Sequence, residues 1–455
     1  MIRKRASEAW DTASKSALYG WLASEAVSLT GTRVSMLAIP WFVLTTTGSA
    51  TRTGLAAFAE MAPYVAAKAV AGPLVDRVGP RRVSITCDSL SVFAVGSIPV
   101  LFAVHLLTFP ILLGAVAVAG FLRGPGDGAK HALVPAIVAR ARVPMERATG
   151  LGGAVERLAS TLGAAFAGVL VAAVGGAPAL IVDAASFAVS AVLIVGTAPL
   201  RRPAVAAAVS AGVDQAAEAA GTGRGIGGDT GRGYLAELRE GWDFLRRDRV
   251  LVGIVTMVAI TNLLDAAFSS VLVPVWAKHT EGTPTAVGWV FATFAATSIL
   301  GALLAARYGQ RLPRFLVYVV GFMVAGIPRF AVLALGVPLP WVLGVLAVGG
   351  LGSGFLNPIL GAVIYERIPE PLMGRVTSLN TALCWAGIPF GGVLGGLLIA
   401  GIGLSPALLA VGAAYLVATM LPVLQPQWRQ IDRRAPEGAR IGPQPQQQGA
   451  AECGS

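Results

Sequence analysis

Charged side chains inside otherwise apolar stretches are the residues of this sequence whose types could do chemistry. They are Glu25, Arg33, Glu60, Lys68, Arg123, Asp127, Glu156, Arg157 and Asp265. If these stretches cross a bilayer, each charge is energetically expensive and marks a candidate site for substrate binding or proton coupling. A carboxylate buried in a low-dielectric cavity also favours its protonated form, as proton coupling requires. The sequence does not rank the carboxylates among them.

Two pairs of these charges are predicted to lie at matching depths in neighbouring helices. In an antiparallel helix hairpin, two residues at equal depth, one from each helix, have residue numbers that add up to the same total at every depth. Glu25 with Lys68 and Arg33 with Glu60 give the same sum. This predicts two ion pairs between the first two apolar stretches. The alternative stays open that each group faces a wet cavity or reaches the interface independently.

A stripe of glycines surrounds Arg123. Gly120, Gly124 and Gly128 recur every fourth residue, a spacing that lets membrane helices pack closely. An arginine on such a helix has to face protein or water. Asp127, one turn further on, could be its partner within the helix.

Composition identifies the elements that hold these charges. The 455 residues are 55% hydrophobic and 13% charged, with a mean hydropathy of +0.71. A soluble protein has about 25% charged residues. Apolar runs of about 20 residues recur along the chain, which predicts an all-α membrane protein with about twelve spanning helices.

The sequence lacks the patterns of catalytic and cofactor sites. Its three cysteines lie far apart and form no metal-binding spacing. No phosphate-binding or dinucleotide-binding motif stands out. We therefore expect a protein that is not an enzyme and that needs no metal or other cofactor.

The distribution of basic residues predicts the orientation in the membrane. Of 35 Lys and Arg residues, only Arg52 and Lys278 fall in connections that follow odd-numbered spans. Basic residues concentrate in cytoplasmic loops, so both termini are predicted to be cytoplasmic. Because this pattern accounts for the net charge of +11, we expect a lipid bilayer as the partner and not nucleic acid.

The chain divides into two units of six spans. The predicted segments are a cytoplasmic N-terminus at 1–17, a six-helix bundle at 18–198, a cytoplasmic linker with an amphipathic helix at 199–249, a second six-helix bundle at 250–424 and a disordered cytoplasmic tail at 425–455.

The two units are related by an internal repeat. One sequence offset carries Pro40 to Pro274 and Gly54 to Gly288, and a second carries Gly168 to Gly396. Duplicated six-helix units are typical of transporters whose halves move about a central site.

A short loop between the second and third spans carries a dense cluster of charge. Its candidate gating residues are Gly72, Leu74, Asp76, Arg77, Gly79, Arg81 and Arg82. Gly72 would allow close backbone approach and Gly79 a tight turn with positive φ. A plain basic turn on the cytoplasmic side is the alternative interpretation.

This spacing resembles the signature between the second and third helices of major facilitator superfamily transporters. The segments Asp183 to Phe187 and Glu237 to Leu245 look like its drug and siderophore efflux branch, which includes enterobactin and macrolide exporters. The proline of the branch's antiporter signature is missing, because Ala164 follows Gly163. The resemblance implies two pseudo-symmetric bundles, a gating role for Asp76 in the outward-facing state, and a proton-coupling role for Arg123.

The resemblance favours proton-coupled efflux of a small amphipathic organic molecule across a bacterial inner membrane, by a monomer. Proton-coupled uptake by the same fold is the first alternative. A membrane scaffold or sensor without transport is the second. The mixed signs of the intramembrane charges exclude neither cationic nor anionic substrates.

Overall fold

The computed structural model describes residues 2–197, 230–308, 311–369, 372–424 and 428. The predicted linker as far as residue 229, and the predicted tail apart from Trp428, lie outside these residues. All the regular elements named below are helical.

Residues 2–197 form the first bundle. Its helices are α1 (Ile2–Thr47), α2 (Ala50–Val78), α3 (Pro80–Ala103), α4 (Phe109–Ala132), α5 (Val134–Ala141), α6 (Met145–Val174) and α7 (Gly176–Thr197).

The second half begins with a helix at the predicted amphipathic segment. Its helices are α8 (Thr230–Arg247), α9 (Arg249–Ala267), α10 (Val273–Thr280), α11 (Pro284–Tyr308), α12 (Arg314–Ala325), α13 (Ile327–Ala334), α14 (Leu339–Arg367), α15 (Met373–Ala386), α16 (Ile388–Ile402) and α17 (Leu404–Met420). A π-helical segment, Phe268–Leu272, joins α9 to α10, and a 3₁₀ turn, Leu421–Leu424, follows α17.

The prediction of about twelve spans in an all-α fold is confirmed. Among the described residues, 11 helical segments are long and apolar enough to cross a membrane. The twelfth is α2, whose 29 residues suffice in length but include Glu60, Lys68 and Asp76. These charges lower its hydropathy, so its place in the bundle depends on the neighbours that it packs against.

α2 packs closely on the glycine stripe of α4. A Cβ added at Gly120 would lie 2.1 Å from the carbonyl oxygen of Glu60, and one at Gly124 would lie 2.8 Å from the backbone nitrogen of Lys68. The predicted close packing is therefore confirmed at these two glycines. At Gly128 an added Cβ would make an ordinary contact, 3.9 Å from Cβ of Ala71.

Three spans of the second half are interrupted beside the centre of the protein. The interruptions are the π-helical segment that begins at Phe268, the break at Gly326 before Pro328, and the break at Gly387 before Pro389. A proline lacks the backbone donor that a continuous helix needs and is favoured at a helix start. The breaks place Phe268, Arg329 and Pro389 around a central cavity.

The two halves meet at one end of the molecule through glycine backbone. We call this end the distal face; it holds the connections at 48–49, 175, 281–283 and 403, and the opposite end is the proximal face. A Cβ at Gly54 of α2 would lie 2.1 Å from the carbonyl oxygen of Gly392 in α16. One at Gly168 of α6 would lie 3.0 Å from Cα of Gly288 in α11. Neither contact leaves room for a side chain, so the distal face is closed.

These two contacts are copies of each other. The sequence repeat carries Gly54 to Gly288 and Gly168 to Gly396. Gly396 also packs on α2, where an added Cβ would lie 2.7 Å from the carbonyl oxygen of Ala50. The contact of α2 with α16 thus corresponds to the contact of α11 with α6, with the two halves exchanged.

Gly54→Val is expected to hold the distal faces apart, because its side chain would overlap the carbonyl oxygen of Gly392. Double electron–electron resonance between labels at Arg52→Cys and Thr283→Cys, both exposed distal positions, would measure this after the three native cysteines are replaced by alanine. The distance distribution should shift to longer values. Gly401→Val is the matched control, since an added Cβ there meets nothing within 4 Å. Identical distance distributions for Gly54→Val, Gly401→Val and the labelled protein without either substitution would contradict closure by glycine contacts.

Candidate functional site

A cavity between the two bundles brings several of the predicted residues together. It has two lobes of about 400 and 380 Å³. The second-bundle lobe is lined by Asp265, Arg329 and Asn262, and the first-bundle lobe by Arg33, Glu60 and Ser160. The wall that the two lobes share consists of Ala57, Met61, Ser269, Ser270, Phe291 and Phe294. Cavities of this size accommodate small organic molecules.

Glu60, which lines the first-bundle lobe, belongs to a buried ion pair. Nη1 of Arg123 lies 3.0 Å from Oε1 of Glu60, and the two side chains are only 9% and 10% exposed. The guanidinium also lies over the ring of Tyr64, at 4.6 Å from the ring centroid. The close α2–α4 packing described above sets the carboxylate and the guanidinium opposite each other.

The predicted pairs Arg33–Glu60 and Glu25–Lys68 are wrong. Nη2 of Arg33 donates to Oγ of Ser160 at 2.8 Å, and Nζ of Lys68 donates to the hydroxyl of Tyr64 at 3.1 Å. Glu25 is half-buried and forms no ion pair with a described residue.

The packing of α1 explains this error. The equal-depth argument requires α1 and α2 to face each other along their length. Instead α1 packs mainly on α6 and α7, while α2 packs mainly on α4 and α16. Consecutive helices are therefore not the closest partners in this bundle, and the charges of α1 and α2 point to different neighbours.

A second buried pair lies in the other half of the cavity. Arg329 of α13 forms an ion pair with Asp265 of α9. Its guanidinium is surrounded by aromatic rings, with centroids 4.9 Å away for Phe268, 4.8 Å for Phe330 and 4.7 Å for Tyr415. Asp265 was predicted from the sequence, whereas Arg329 was not among the candidates. An arginine directly after Pro328 in an apolar span was the signal that could have identified it.

A third cluster of charged and polar side chains lies outside the cavity lobes and was not predicted from the sequence. Nζ of Lys130, which is 2% exposed, lies 3.1 Å from Asp88 and donates to Ser28 at 2.9 Å. Ser190 donates to Asp88 at 2.6 Å and shares a hydrogen bond of 2.8 Å with Ser24. Asp88 therefore belongs to a network that crosslinks four helices inside the first bundle.

Asp183 of α7 is also buried within the first bundle. Its carboxylate accepts hydrogen bonds from Ser35 and Ser186. A Cβ at Gly31 would collide with Ser186, so α1 approaches α7 closely at this point. Asp183 thus contributes to α1–α7 packing.

The remaining predicted charges lie nearer the proximal face or away from the pairs. Asp127 accepts a hydrogen bond of 3.3 Å from the hydroxyl of Tyr64, while Arg123 pairs with Glu60. Asp127 is therefore not the intrahelical partner of Arg123. Glu156 and Arg157 of α6 are exposed.

The charged loop forms a tight turn at the proximal face. Gly79 has φ of +95° and links α2 to α3, as predicted from its position. Nη2 of Arg81 donates to the carbonyl oxygen of Val195 in α7 at 2.8 Å, which holds the turn against the bundle. The expected close backbone approach at Gly72 is wrong, because a Cβ there would meet nothing within 4 Å. The remaining candidate side chains of the loop are exposed; these are Leu74, Asp76, Arg77 and Arg82.

Comparisons with known proteins agree with this architecture. The family model described as Major Facilitator Superfamily matches residues 22–269 and 255–444. The chain is 30% identical over 409 residues to the multidrug efflux pump Tap of Mycobacterium tuberculosis, covering 88% of this chain and 91% of Tap. It is 22% identical over 420 residues to macrolide efflux protein A of Streptococcus pyogenes, covering 90% and 96% of the two chains.

Solved transporter structures share the fold. The nucleoside transporter NupG superposes with a TM-score of 0.66 at 13% identity, covering 89% of this chain and 98% of that one. A bacterial homologue of the iron transporter ferroportin, in its inward-facing state, gives a TM-score of 0.63 at 14% identity, covering 91% and 98%.

The Glu60–Arg123 pair is expected to behave as one unit in stability measurements. Arg123→Met should lower the free energy of unfolding by about 3–5 kcal/mol, because it leaves a buried carboxylate without a counter-charge. Glu60→Gln combined with Arg123→Met should recover most of this loss, since no uncompensated charge remains. Reversible unfolding of the purified protein in detergent would measure both.

An exposed pair provides the matched control. Asp243 and Arg246 of α8 form an i,i+3 pair with side chains 37% and 63% exposed. Asp243→Asn should change the free energy of unfolding by less than about 1 kcal/mol. A double variant as unstable as Arg123→Met alone would show that charge compensation does not hold α2 against α4.

Proposed function

Since the chain belongs to the major facilitator superfamily, we propose that it exports a small amphipathic organic molecule in exchange for protons, by alternating access. The protein is a multi-pass membrane transporter and not an enzyme. Tap and macrolide efflux protein A, which resemble it over most of its length, are named as efflux proteins. Those names support export as the direction of transport for this chain.

The observation that carries the proposal is the cavity between the bundles. Both of its walls come from one chain, which supports transport by a single copy. The distal face is closed by glycine contacts, while Glu60, which is paired with the buried Arg123, lines the cavity beneath them. A closed face above a site shared by two halves is the arrangement that alternating access requires.

The basic residues of the sequence support one orientation in the membrane. Their concentration in the connections of the proximal face supports a cytoplasmic proximal face with both termini on the same side. The glycine closure would then seal the outer side. In this orientation, export requires the distal contacts to separate after the substrate has entered from the cytoplasm.

α2 connects the charge pair to the contacts that join the halves. Distal to Glu60, Gly54 packs on Gly392 of α16. Proximal to it, Nζ of Lys68 lies 4.6 Å from the ring centroid of Trp385 in α15. A proton on Glu60 would remove the counter-charge of Arg123 and so favour a different packing of α2 on α4. Because both cross-bundle contacts lie on α2, such a change would reach both faces.

The proximal loop would act on the same equilibrium between inward-facing and outward-facing states. The family resemblance assigns Asp76 to stabilising the outward-facing state. Asp76 and Arg77 are exposed at the end of α2, just before the turn at Gly79, so they move with the helix that carries Glu60.

Cells that express the protein should accumulate several-fold less of a transported fluorescent amphiphile than cells without it. A protonophore should abolish the difference, since export uses the proton gradient. Glu60→Gln and Asp76→Asn should also abolish it at equal protein levels in the membrane. Asp243→Asn, which changes an exposed carboxylate on α8, is the control and should transport normally.

The same assay separates the alternatives. Greater accumulation in expressing cells would contradict export and support uptake. Export that persists with the protonophore would exclude the proton gradient as its energy source. No difference for any member of a broad panel that includes a macrolide would favour a membrane protein without transport activity.

A further inference from the structure

The cavity presents accessible charges of opposite sign in its two lobes. In the first-bundle lobe, Glu60 and Arg123 neutralise each other and are almost fully buried. The charge that remains is Arg33, which is half-buried and lines the lobe. Its guanidinium contacts Ser160 and the sulfur of Met36, and it forms no ion pair with a described residue. Among the described residues, this lobe therefore offers a cation that no carboxylate contacts directly.

The second-bundle lobe has the opposite character. Arg329 is only 7% exposed and is enclosed by aromatic rings, so a ligand in the cavity has little access to its charge. Asp265 is 41% exposed although it is paired with Arg329. The charge that this lobe offers to a ligand is consequently a carboxylate, with the amide of Asn262 beside it on the cavity wall.

An apolar wall lies between the two charges. Met61, Phe291 and Phe294 line both lobes, so a molecule that extends from one lobe to the other crosses their surfaces. An unpaired charge within a membrane is costly, and a ligand of opposite charge would offset that cost at Arg33. The planar guanidinium is suited to bidentate binding of a carboxylate or phosphate group.

We propose that the transported molecule is a zwitterionic amphiphile whose anionic group binds Arg33, whose ammonium group binds Asp265, and whose apolar body lies on Phe291 and Phe294. This inference rests on the proposed transport function and specifies its substrate class. It assigns Arg33 and Asp265 to charge selection, separate from the Glu60–Arg123 pair that is assigned to coupling.

The test uses equilibrium binding to the purified full chain in detergent, measured by calorimetry. The probes have a phenyl or a biphenyl body with an aminomethyl group, a carboxylate, or both at opposite ends, so that charge and length vary independently. At least one zwitterion should bind about tenfold more tightly than the singly charged probes of the same body, as expected for one added charge-assisted hydrogen bond.

Two variants should change selectivity in opposite ways. Arg33→Gln should lower the affinity for the zwitterion and the anion about tenfold and leave the affinity for the cation unchanged. Asp265→Asn should lower the affinity for the zwitterion and the cation and leave the affinity for the anion unchanged. Because Asp265→Asn leaves Arg329 without a counter-charge, Asp265→Asn with Arg329→Gln is the second variant, and it should give the same selectivity in a protein without an unpaired buried charge.

Several outcomes would overturn the proposal. One is equal binding of zwitterions and cations, and another is an Arg33→Gln effect that is the same for all probes. Failure of every probe to bind would overturn it too, because the proposal assigns binding to the charged walls. Glu156, one turn before Ser160 on α6, is the control, and Glu156→Gln should leave the binding of every probe unchanged. If Glu156→Gln instead tightens binding of the anion and the zwitterion, Glu156 is the counter-charge with which a ligand must compete for Arg33, and the proposal is overturned.

The proposed transport function fails independently of this inference. Charge-selective binding as predicted, with no proton-dependent export by cells, would retain the site and reject the function. Proton-dependent export of amphiphiles by a protein that shows no charge selectivity would retain the function and reject the zwitterionic substrate.

Discussion

A charge inside an apolar helical bundle must be compensated, and this requirement determines which helices of the protein are joined. Glu60 and Arg123 tie α2 to α4, Asp265 and Arg329 tie α9 to α13, and the network of Asp88 and Lys130 ties α3 to α4. Breaking such a pair is strongly destabilising because it leaves a buried charge alone, although an intact pair adds little compared with apolar packing. These charges therefore act mainly by specifying partners. The hydrophobic surfaces of membrane helices cannot do this well, because lipid tails are as apolar as the side chains that they contact.

Glycine provides the complementary constraint, because it sets how closely the helices approach. Inside the first bundle, Gly120 and Gly124 bring the backbone of α4 against that of α2, close enough for the arginine of one to reach the carboxylate of the other. Between the bundles, Gly54, Gly168, Gly288 and Gly392 allow backbone-to-backbone contact at the distal face. These cross-bundle contacts contain no ion pair among the described residues. Such a closure can separate without exposing an unpaired charge, whereas the contacts within each bundle cannot.

The sequence predicted what depends on composition and local spacing. Hydropathy identified the spans, the spacing of Gly120 and Gly124 predicted close packing, and Gly79 predicted the tight turn. The sequence-based predictions failed where a side chain's partner depends on which helices are neighbours. Arg33 and Glu60 lie at matching positions along α1 and α2 and line the same cavity lobe, but α1 packs on α6 and α2 on α4, so each side chain has a different partner. Arg329 and Lys130 were missed for a related reason: each is a single basic residue in or near an apolar span, and its importance appears only when a carboxylate from another helix is placed beside it.

The internal repeat is expressed in the backbone contacts and not in the charges. Gly54 and Gly288 are equivalent by sequence and serve equivalent closures, so the two halves can close the distal face by the same movement. The ion pairs have no such relation, since the first joins the second and fourth spans of its half and the other joins the first and third spans of the second half. A symmetric closure with asymmetric sites separates two tasks. Under the proposed function, the shared glycine contacts let both halves move together, the Glu60–Arg123 pair of the first half responds to protons, and Arg33 and Asp265, one from each half, select the substrate. Loss of symmetry in the charges is therefore where the specific function of this chain is expected to lie.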